Sequence, residues 1–350
     1  MKVLLNGVGR IGKSILRIAE AKNKFDIVAI NECNTNIGNI AYSINYDSTY
    51  GKLEDKYKVK QNTIYNSKSN IQIFNYKNIF DIDCNLLDID LIIDASGSIL
   101  DLEFFKENCP KPLYLTHPNS KADINVILGV NEDLIDYKNH KIISTSSCNA
   151  TALLPLLKLL DTTYGIEYGD ITTIHPLLNH QKTLDSACIG SENRDVKCNF
   201  EFGRSATQNM IPSQTTTIDA CSYVIPSINH DMISSSSIRV PTPTVGAINI
   251  TVTVQKDCTK EDLVKLLTMY ESTQKYKVLY NSTCSLVSSD FQGEEYTTIV
   301  DHRFIDVKKN KMIKLVIWYD NEWGYASKVV DIVSNHKINL YKKEKNVWIK

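Results

Sequence analysis

Cys148 is the residue whose setting in the sequence best suits nucleophilic chemistry. It follows the apolar run 142–143 and precedes a helical pattern of leucines that begins at Leu153. Cys148 is therefore predicted at a helix N-terminus, where unpaired backbone N–H groups and the helix dipole lower the pKa of a thiol and favour the nucleophilic thiolate. The alternative, which is commoner for a cysteine beside a helix, is a small buried core residue.

His175 is the predicted partner of this thiol. It ends an alternating segment, 170–174, where a side chain at a sheet edge can face a cleft. An imidazole can take the thiol proton as a base and return a proton to a reacting oxygen as an acid, which suits the addition of a thiolate to an aldehyde. A lone histidine after a strand is usually structural, so this interpretation depends on the pairing with Cys148.

A glycine motif near the start of the chain predicts a dinucleotide site. Gly7, Gly9 and Gly12 have the Gly-x-Gly-x-x-Gly spacing, follow a short apolar strand and open a helical pattern. Such a turn lets the backbone approach a pyrophosphate, whose charge is met by free N–H groups and the helix dipole. Arg10, inside the turn, can add a positive charge. A glycine-rich turn without a ligand is the alternative interpretation.

Glu32 indicates which dinucleotide fits. It stands twenty positions after Gly12, at the end of the second predicted strand. A carboxylate there can accept hydrogen bonds from both ribose hydroxyls and would repel a 2′-phosphate, so the sequence predicts NAD in preference to NADP. Ser96, Gly97 and Thr116 end later strands, at the carboxyl edge of the sheet where such ligands lie.

The elements that position these residues change character near residue 150. In residues 1–147, short apolar runs alternate with helical patterns, which predicts an α/β domain with a doubly wound parallel sheet of the Rossmann type and helices on both faces. The polar stretch 57–80 contains strand-like pieces such as 71–74 and is predicted to be an insertion at the sheet edge. The predicted parallel strands are residues 3–5, 27–30, 91–93, 113–115, 126–128 and 142–143.

After a predicted helix at 150–160, long alternating strands predominate. The clearest of them, 247–254, has an apolar face that must be covered by helices or by another subunit. This half, residues 148–321, is predicted to be an α+β catalytic domain with a mainly antiparallel sheet, followed by a C-terminal helix, about 322–336, that returns to the first domain. A helix is also predicted at 260–271 and a strand at 312–319, just before the C-terminal helix.

The composition narrows the class of protein. A chain of 350 residues with 43% hydrophobic and 23% charged residues is a folded globular protein of about two domains. A formal charge of −1 gives no general attraction to nucleic acid or to anionic membranes, which favours a small-molecule partner. Nine cysteines without a Cys-x-x-Cys pair predict no disulfide framework and no metal site, and so a reducing cytoplasm. No apolar stretch reaches the ~18 residues of a membrane span.

Specific motifs occur along nearly the whole chain. They are NGVGRIG at 6–12, INE at 30–32, SSCNATALLP at 146–155, TTIH at 172–175, IRVPTP at 238–243 and WYDNEWGY at 318–325. Through these motifs the chain resembles the glyceraldehyde-3-phosphate dehydrogenase family. Within the family the resemblance leans towards the erythrose-4-phosphate dehydrogenase branch, because of Glu32 in place of aspartate, THPNS at 116–120 and YGIEYGDITTIH at 164–175.

The resemblance implies roles for individual residues. Cys148 corresponds to the nucleophile that forms a thiohemiacetal, and His175 to its base and proton donor. Asn321 corresponds to the residue that hydrogen-bonds the nicotinamide carboxamide, with Tyr325 nearby, and Ile11 belongs to the cofactor motif. The cofactor implied is NAD, and the implied assembly is a cytoplasmic homotetramer with no membrane or nucleic-acid partner.

A second set of residues is implied to bind the anionic substrate or inorganic phosphate. Arg204 and Arg239 resemble the cationic groups of this site, a role that guanidinium fills well through its fixed pair of donors. The other members implied are Ser147, Asn149 and Thr215.

Three departures from the family pattern fall in this set. The phosphorylating enzymes have a threonine three positions after the histidine, where this chain has Leu178, and a Thr-Gly pair where this chain has Thr215 followed by Thr216. Erythrose-4-phosphate dehydrogenases lack both features too. After the nucleophile the usual Thr-Thr-Asn is Asn-Ala-Thr, residues 149–151, which neither branch explains.

The leading hypothesis is therefore a non-phosphorylating, NAD-dependent oxidation of a phosphorylated aldose such as erythrose 4-phosphate, through a cysteine thiohemiacetal and thioester. The alternative is a phosphorylating glyceraldehyde-3-phosphate dehydrogenase. An alternative of another class is a non-catalytic NAD-binding paralogue. The presence of Cys148, His175, Arg239 and Asn321 argues against that third possibility, because a chain freed from catalysis has no chemical reason to keep all four.

Overall fold

A computed structural model describes residues 1–85, 87–188 and 200–347 of the protein, with side chains as far as His336. The chain divides into two compact units. Unit 1 consists of Met1–Val126, Asp133–Ser146 and the chain from Ala326 onward, and unit 2 consists of Ile127–Glu132 and Ser147–Tyr325.

The main sheet of unit 1 has the strand order β10-β11-β9-β8-β1-β2-β7-β6-β5. Its strands pair in parallel except at one edge, where β5, β6 and β7 pair antiparallel. The strands of the unit are β1 (Lys2–Asn6), β2 (Asp26–Asn31), β3 (Tyr46–Asp47), β4 (Gly51–Lys52), β5 (Lys58–Lys60), β6 (Thr63–Tyr65), β7 (Asn70–Phe74), β8 (Leu91–Asp94), β9 (Leu113–Leu115), β10 (Ile124–Asn125) and β11 (Ile142–Ser144). Its first three helices are α1 (Arg10–Ala21), α2 (Ile37–Asn45) and α3 (Leu102–Asn108).

The first β-α-β segment shows why the parallel sheet forms. Val3, Leu4 and Leu5 are fully buried on successive positions, as expected when helices cover both faces of a sheet. Helix α1 buries an apolar stripe that includes Ile15 and Ile18. The predicted Rossmann-type sheet is confirmed, and the polar insertion forms β5, β6 and β7 at its edge.

One predicted strand of this region was wrong. Residues 126–128 are buried but do not form a strand, and the strand that pairs with β11 is Ile124–Asn125 instead. The backbone N–H of Ile127 donates to the side-chain Oδ1 of Asn131 at 2.9 Å, and Gly129 turns the chain with φ +80°. The apolar run therefore marks burial of a turn, which periodicity alone does not separate from a buried strand.

The main sheet of unit 2 has the order β13-β14-β12-β15-β19-β17-β16, with β18 added beside β19. Most pairs are antiparallel, whereas β12 with β14 and β16 with β17 are parallel, so the predicted mainly antiparallel sheet is confirmed. The strands are β12 (Ile166–His175), β13 (Ile211–Ser213), β14 (Ile233–Arg239), β15 (Gly246–Val254), β16 (Leu279–Ser282), β17 (Thr298–Asp301), β18 (Asp306–Lys308) and β19 (Met312–Tyr319). The helices are α4 (Cys148–Tyr164), α5 (Thr217–Ser222) and α6 (Lys260–Thr273).

The apolar face of β15 is covered within unit 2. Ile248, Ile250, Val252 and Val254 are fully buried in one cluster with the leucines of α4. The sequence left open whether helices or another subunit cover this face. In the structure, helices of the same chain cover it.

The last helix, α7 (Trp323–Val347), starts in unit 2 and continues in unit 1. Within unit 1, His336 of this helix is buried, and its Nδ1 lies 2.8 Å from the Tyr114 hydroxyl of β9. Short 3₁₀ segments complete the described structure: Ile79–Asp81, Glu132–Leu134, Phe200–Gly203, Ser288–Phe291 and His302–Phe304.

The structure bears on the sequence-based expectations about membrane spans, metal sites and disulfides. Among the described residues, no helix is long and apolar enough to cross a membrane, and no cluster of three or more metal-ligating side chains occurs. Cys188 is disulfide-bonded, a bond that the expectation of no disulfide framework did not include. Within the described ranges, free thiols belong to Cys33, Cys84, Cys109, Cys148, Cys221, Cys258 and Cys284.

Candidate active site

Cys148 is the first residue of α4, as predicted. Ser147 caps the helix, and its Oγ accepts a hydrogen bond from the N–H of Ala150 at 3.3 Å. Ser146, just before the cap, has φ +60°, a left-handed conformation that costs a non-glycine residue energy. The chain therefore turns sharply and places the thiol on the first turn of the helix.

His175 ends β12, and its Nε2 lies 3.8 Å from the Sγ of Cys148. Its Nδ1 lies 2.9 Å from the carbonyl oxygen of Pro176. Because a carbonyl only accepts, Nδ1 carries the proton and Nε2 keeps its lone pair towards the sulfur. The structure thus brings the two predicted catalytic side chains together, with the imidazole in the tautomer that can accept the thiol proton.

Burial sets the protonation state of this pair. It raises the pKa of the Cys148 thiol to about 11, although Arg239 opposes the rise. Burial, assisted by the charge of Arg239, lowers the pKa of His175 to about 3. Near neutral pH the pair is therefore a thiol and a neutral imidazole. The predicted lowering of the thiol pKa was wrong for this state, since loss of hydration outweighs the helix N-terminus.

Arg239 provides positive charge beside the pair. It lies directly opposite His175 in the parallel pairing of β14 with β12. Its Nε and Nη1 atoms are buried and have no hydrogen-bond partner among the described residues. Buried donors of a cation without partners are costly, and a bound carboxylate or phosphate would satisfy them. The arrangement fits an anion next to the reactive sulfur.

Asn149 and Thr215, two predicted substrate ligands, lie in one hydrogen-bonded network next to Cys148. The Tyr319 hydroxyl donates to Oδ1 of Asn149 at 2.6 Å, and Nδ2 of Asn149 donates to Oγ1 of Thr217 at 3.2 Å. The hydroxyls of Thr217 and Thr215 are 2.6 Å apart. Both predicted ligands are therefore engaged by protein groups. Sequence reasoning missed Thr217 and the contact made by Tyr319, which pattern and spacing do not reveal.

Arg204 makes a different contact from the one expected. Its Nε donates to the carboxylate of Asp185 at 3.1 Å, and both side chains are more than half exposed. Among the described residues the structure does not bring Arg204 to the Cys148 cluster. Leu178 is half-buried, and its N–H donates to the Oε1 of Gln181 at 2.8 Å.

The glycine motif of unit 1 forms the turn that the sequence predicts. Gly7 has φ +87°, and a Cβ on Gly12 would stand 2.0 Å from the carbonyl oxygen of Gly7, so neither position tolerates a side chain. A Cβ on Gly9, the residue that caps α1, would meet no atom within 4 Å. That open space beside a helix N-terminus fits a pyrophosphate. Ile11 lies in the first turn of α1.

Glu32 faces this turn. Its Oε2 accepts a hydrogen bond from the N–H of Val8 at 2.9 Å, which holds the carboxylate beside the glycines and leaves lone pairs for ribose hydroxyls. Arg10 forms an ion pair with Asp47, which also pairs with Lys13 at 3.1 Å. Burial favours a raised pKa for Asp47, but these cations and nearby backbone N–H groups outweigh it and hold the pKa well below its usual range.

Ser96 and Thr116 meet at the carboxyl edge of the unit 1 sheet through Asp94. The buried Asp94 carboxylate accepts from Oγ of Ser96 and from Nδ2 of Asn6, both at 2.7 Å, and Thr116 Oγ1 donates to the Asp94 carbonyl at 2.9 Å. Gly97 follows with φ +66°. Burial raises the pKa of Asp94. Sequence reasoning missed Asp94, although a carboxylate ending the apolar strand LIID was a visible signal.

Asn321 is held by the backbone and side chain of one loop in unit 2. Its Oδ1 accepts from Oγ1 of Thr244 and from the N–H of Val245, both at 3.1 Å. This fixes the carboxamide so that Nδ2 is the group that can donate to a ligand. Tyr325 is buried in the first turn of α7.

Comparison with known proteins gives the same assignment for both halves of the chain. Residues 1–102 match the NAD binding domain of glyceraldehyde 3-phosphate dehydrogenase, and residues 147–321 match its C-terminal domain. NAD is thus the cofactor, as Glu32 and the glycine turn predict.

Three curated relatives show the likeness over the full length. Glyceraldehyde-3-phosphate dehydrogenase of Buchnera aphidicola subsp. Schizaphis graminum is 35% identical over 95% of this chain and 98% of its own. The enzyme of Eremothecium gossypii is 32% identical over 97% and 100%, and glyceraldehyde-3-phosphate dehydrogenase 2 of Bacillus subtilis is 30% identical over 95% and 96%.

These names do not confirm the lean towards the erythrose-4-phosphate branch. They do confirm an NAD-dependent oxidoreductase that acts on an aldehyde. With both domain models matched and relatives aligned end to end, the chain belongs to the glyceraldehyde-3-phosphate dehydrogenase family.

Proposed function

We propose that the protein oxidises glyceraldehyde 3-phosphate with NAD and transfers the acyl group to inorganic phosphate. The observation that supports this most strongly is the cluster of Cys148, His175 and Arg239, which combines a nucleophile, a base and unpaired cationic donors. The names of the relatives favour the three-carbon substrate over erythrose 4-phosphate. This proposal replaces the leading hypothesis drawn from the sequence with its alternative.

The first step uses the neutral pair directly. As the sulfur of Cys148 attacks the aldehyde carbon, Nε2 of His175 takes the thiol proton and then gives it to the developing alkoxide, which yields a thiohemiacetal. A neutral imidazole with its lone pair towards the sulfur is the form this step requires. The imidazole then removes the hydroxyl proton while a hydride leaves the same carbon, and a thioester remains on Cys148.

NAD, when bound, would supply the acceptor for that hydride. In unit 1, the glycine turn and Glu32 would hold its pyrophosphate and ribose. In unit 2, Nδ2 of Asn321 is the donor that the family resemblance implies for the carboxamide. In the last step a phosphate oxygen attacks the thioester carbon, the carbon–sulfur bond breaks, and the sulfur leaves as a thiolate that the imidazolium can protonate. Arg239 is the cation proposed to hold the anionic groups.

Non-phosphorylating oxidation of erythrose 4-phosphate is the second candidate. It is favoured by Leu178, which has no side-chain hydrogen bond to offer, and by the engagement of Asn149 and Thr215 with protein groups. Both features weaken a phosphate site without removing the nucleophile. Water would then resolve the thioester and release an acid.

Initial rates of NADH formation separate the two candidates. Glyceraldehyde 3-phosphate and erythrose 4-phosphate are each assayed over a range of phosphate or arsenate. The proposal expects faster turnover of the three-carbon substrate and a rate that rises with phosphate. Phosphate-independent turnover that favours the four-carbon substrate would establish the second candidate. Both candidates use His175 as the base. His175→Asn should therefore slow turnover of either aldehyde by ~10²–10⁴-fold, the usual contribution of acid–base catalysis.

We also propose a homotetramer located in the cytoplasm. The outer face of the unit 2 sheet carries exposed apolar side chains such as Tyr168, Ile174 and Met312, which a second copy of the chain can cover. Multi-angle light scattering at micromolar concentration tests the assembly, and a monomer would contradict it.

A further inference from the structure

The carboxamide of Asn149 contacts the reactive sulfur. Its Oδ1 lies 3.5 Å from Sγ of Cys148 and accepts the thiol hydrogen. The same oxygen accepts from the Tyr319 hydroxyl at 2.6 Å, and Nδ2 donates to Thr217 at 3.2 Å. Asn149 is thus held at both ends while it faces the nucleophile. The departure from the family pattern after the nucleophile therefore has a structural role beside the sulfur.

The fold makes room for this contact. Gly246 of β15 pairs with Tyr319 of β19, and a Cβ on Gly246 would stand 2.6 Å from the Tyr319 ring and hydroxyl. The missing side chain lets the ring lie across β15, where its buried hydroxyl reaches Asn149. On the other side, Thr217 is buried in α5 and supported by Thr215.

The partners at both ends of the amide are hydroxyl groups, which can donate or accept. If the carboxamide turns by half a revolution, Nδ2 can donate to the Tyr319 oxygen and Oδ1 can accept from Thr217. The amide keeps a partner at each end in both orientations. In the turned orientation a second N–H of Nδ2 points to the sulfur in place of Oδ1.

We propose that Asn149 is a positioning residue for Cys148: its carboxamide accepts the hydrogen bond of the thiol at rest and, once turned, donates an N–H to the thiolate. This inference rests on the proposed role of Cys148 as nucleophile. It assigns Asn149 to the sulfur in place of the phosphate contact implied by the resemblance.

The surroundings of Cys148 show why a switchable partner matters. The groups that face it are His175 from β12, Arg239 from β14, Tyr319 from β19 and, through its charge, Glu322. Burial and Glu322 raise the pKa of the thiol, and Arg239 lowers it. A neutral N–H donor in a buried site stabilises the thiolate without adding a charge that must itself be solvated.

The test compares variants at position 149 that differ in whether the side chain can donate a hydrogen bond to the Cys148 thiolate. Asn149→Asp keeps the shape but offers only acceptors and a negative charge. The alkylation rate of Cys148 by iodoacetamide is measured from about pH 7 to about pH 12 in the ligand-free protein, by mass spectrometry of the Cys148 peptide, so that the range includes the wild-type midpoint at about 11. The expected result is a midpoint raised by about one unit or more, so that alkylation near neutral pH slows about tenfold or more. An unchanged or lowered midpoint would overturn the proposal.

A second pair keeps the test decisive if the aspartate variant does not fold. Asn149→Thr and Asn149→Val have the same shape, and only threonine can donate. Cys148 should alkylate about tenfold faster in the threonine variant at equal pH. Equal rates in the two would mean that shape alone matters, and the proposal would fail. Labelling of Cys109 in the same samples is the internal reference and stays constant.

The outcome does not depend on which aldehyde is oxidised, because no substrate is present. If the wild-type protein oxidised neither aldehyde while the pH midpoint still moved in Asn149→Asp, the proposed function would fail and the role of Asn149 would stand. The opposite pattern is full aldehyde oxidation by the wild-type protein with an unchanged alkylation midpoint in Asn149→Asp. It would refute the positioning role of Asn149 and leave the proposed function intact.

Discussion

His175 and Arg239 are opposite residues of two parallel strands, β12 and β14. The pairing puts a guanidinium beside the imidazole that faces Cys148, and the positive charge adds to burial in lowering the pKa of His175. It also opposes the rise in the thiol pKa. One strand pair therefore supplies the base, adds a positive charge to the burial that keeps the base neutral, and provides donors for an anion.

Arg239→Lys should raise the KM for the aldehyde about tenfold or more, because one ammonium group cannot replace the paired donors of a guanidinium. The alkylation midpoint of Cys148 should change little, since the charge is kept. Arg303→Lys, at an arginine that pairs with Asp301, is the matched control. Steady-state kinetics of both variants test this, and similar KM values in the two would argue against an anion site at Arg239.

NAD should bind much more tightly than NADP, because a 2′-phosphate would meet the carboxylate of Glu32. Glu32→Gln keeps an acceptor for the N–H of Val8 but removes the negative charge. The ratio of the NADP to the NAD dissociation constant should therefore fall about tenfold. Fluorescence titration of both dinucleotides gives the dissociation constants. Comparable values for the wild-type protein would refute the placement of Glu32 at the ribose.

Cys109 should be reactive towards alkylating agents at neutral pH. A hydrogen bond from the Cys84 thiol, helped by Lys111 nearby, lowers the pKa of Cys109 to about 6 against the cost of burial. Its thiolate is present above that pH and lost below it, so alkylation should fall as the pH drops through about 6. Cys84→Ala should move the midpoint upward. A midpoint that stays in place would mean that the Cys84 contact does not stabilise the thiolate.

Leu178→Thr should lower the KM for phosphate, since a hydroxyl restores a hydrogen bond that leucine cannot make. A charge-assisted hydrogen bond is worth ~1.5–3 kcal/mol, or roughly ten- to a hundredfold in binding. Leu178→Val, which shortens the side chain without adding a donor, is the control. Rates at varied phosphate concentration measure the effect, and an equal KM in the two variants would show that this position does not face phosphate.

The sequence predicted the elements whose pattern is local. The strand 312–319 agrees in both bounds with β19, and the first strand, helix and second strand follow from the spacing of apolar residues around the glycine turn. The run 126–128 was misassigned because a buried turn and a buried strand share the same apolar composition. An apolar run therefore predicts burial, but the fold decides whether the buried segment is a strand or a turn.

In the candidate site, too, features that are local in the sequence could be predicted, and features that depend on distant residues could not. Cys148 and His175 could be predicted because a helix start and a strand end are local features, and the structure places them 3.8 Å apart. The protonation state was mispredicted because burial of the thiol depends on distant elements. The contact between Tyr319 and Asn149 joins residues 170 positions apart and could not be inferred from spacing.

The most direct test of the central claim is to find the covalent intermediate. The protein is mixed with glyceraldehyde 3-phosphate and NAD in the absence of phosphate, quenched in acid, and digested for mass spectrometry. The expected result is an acyl group bound as a thioester to the Cys148 peptide. This adduct should be absent in Cys148→Ser, which should still bind NAD. An acyl group on another cysteine, or NADH formation by Cys148→Ser at the wild-type rate, would contradict it.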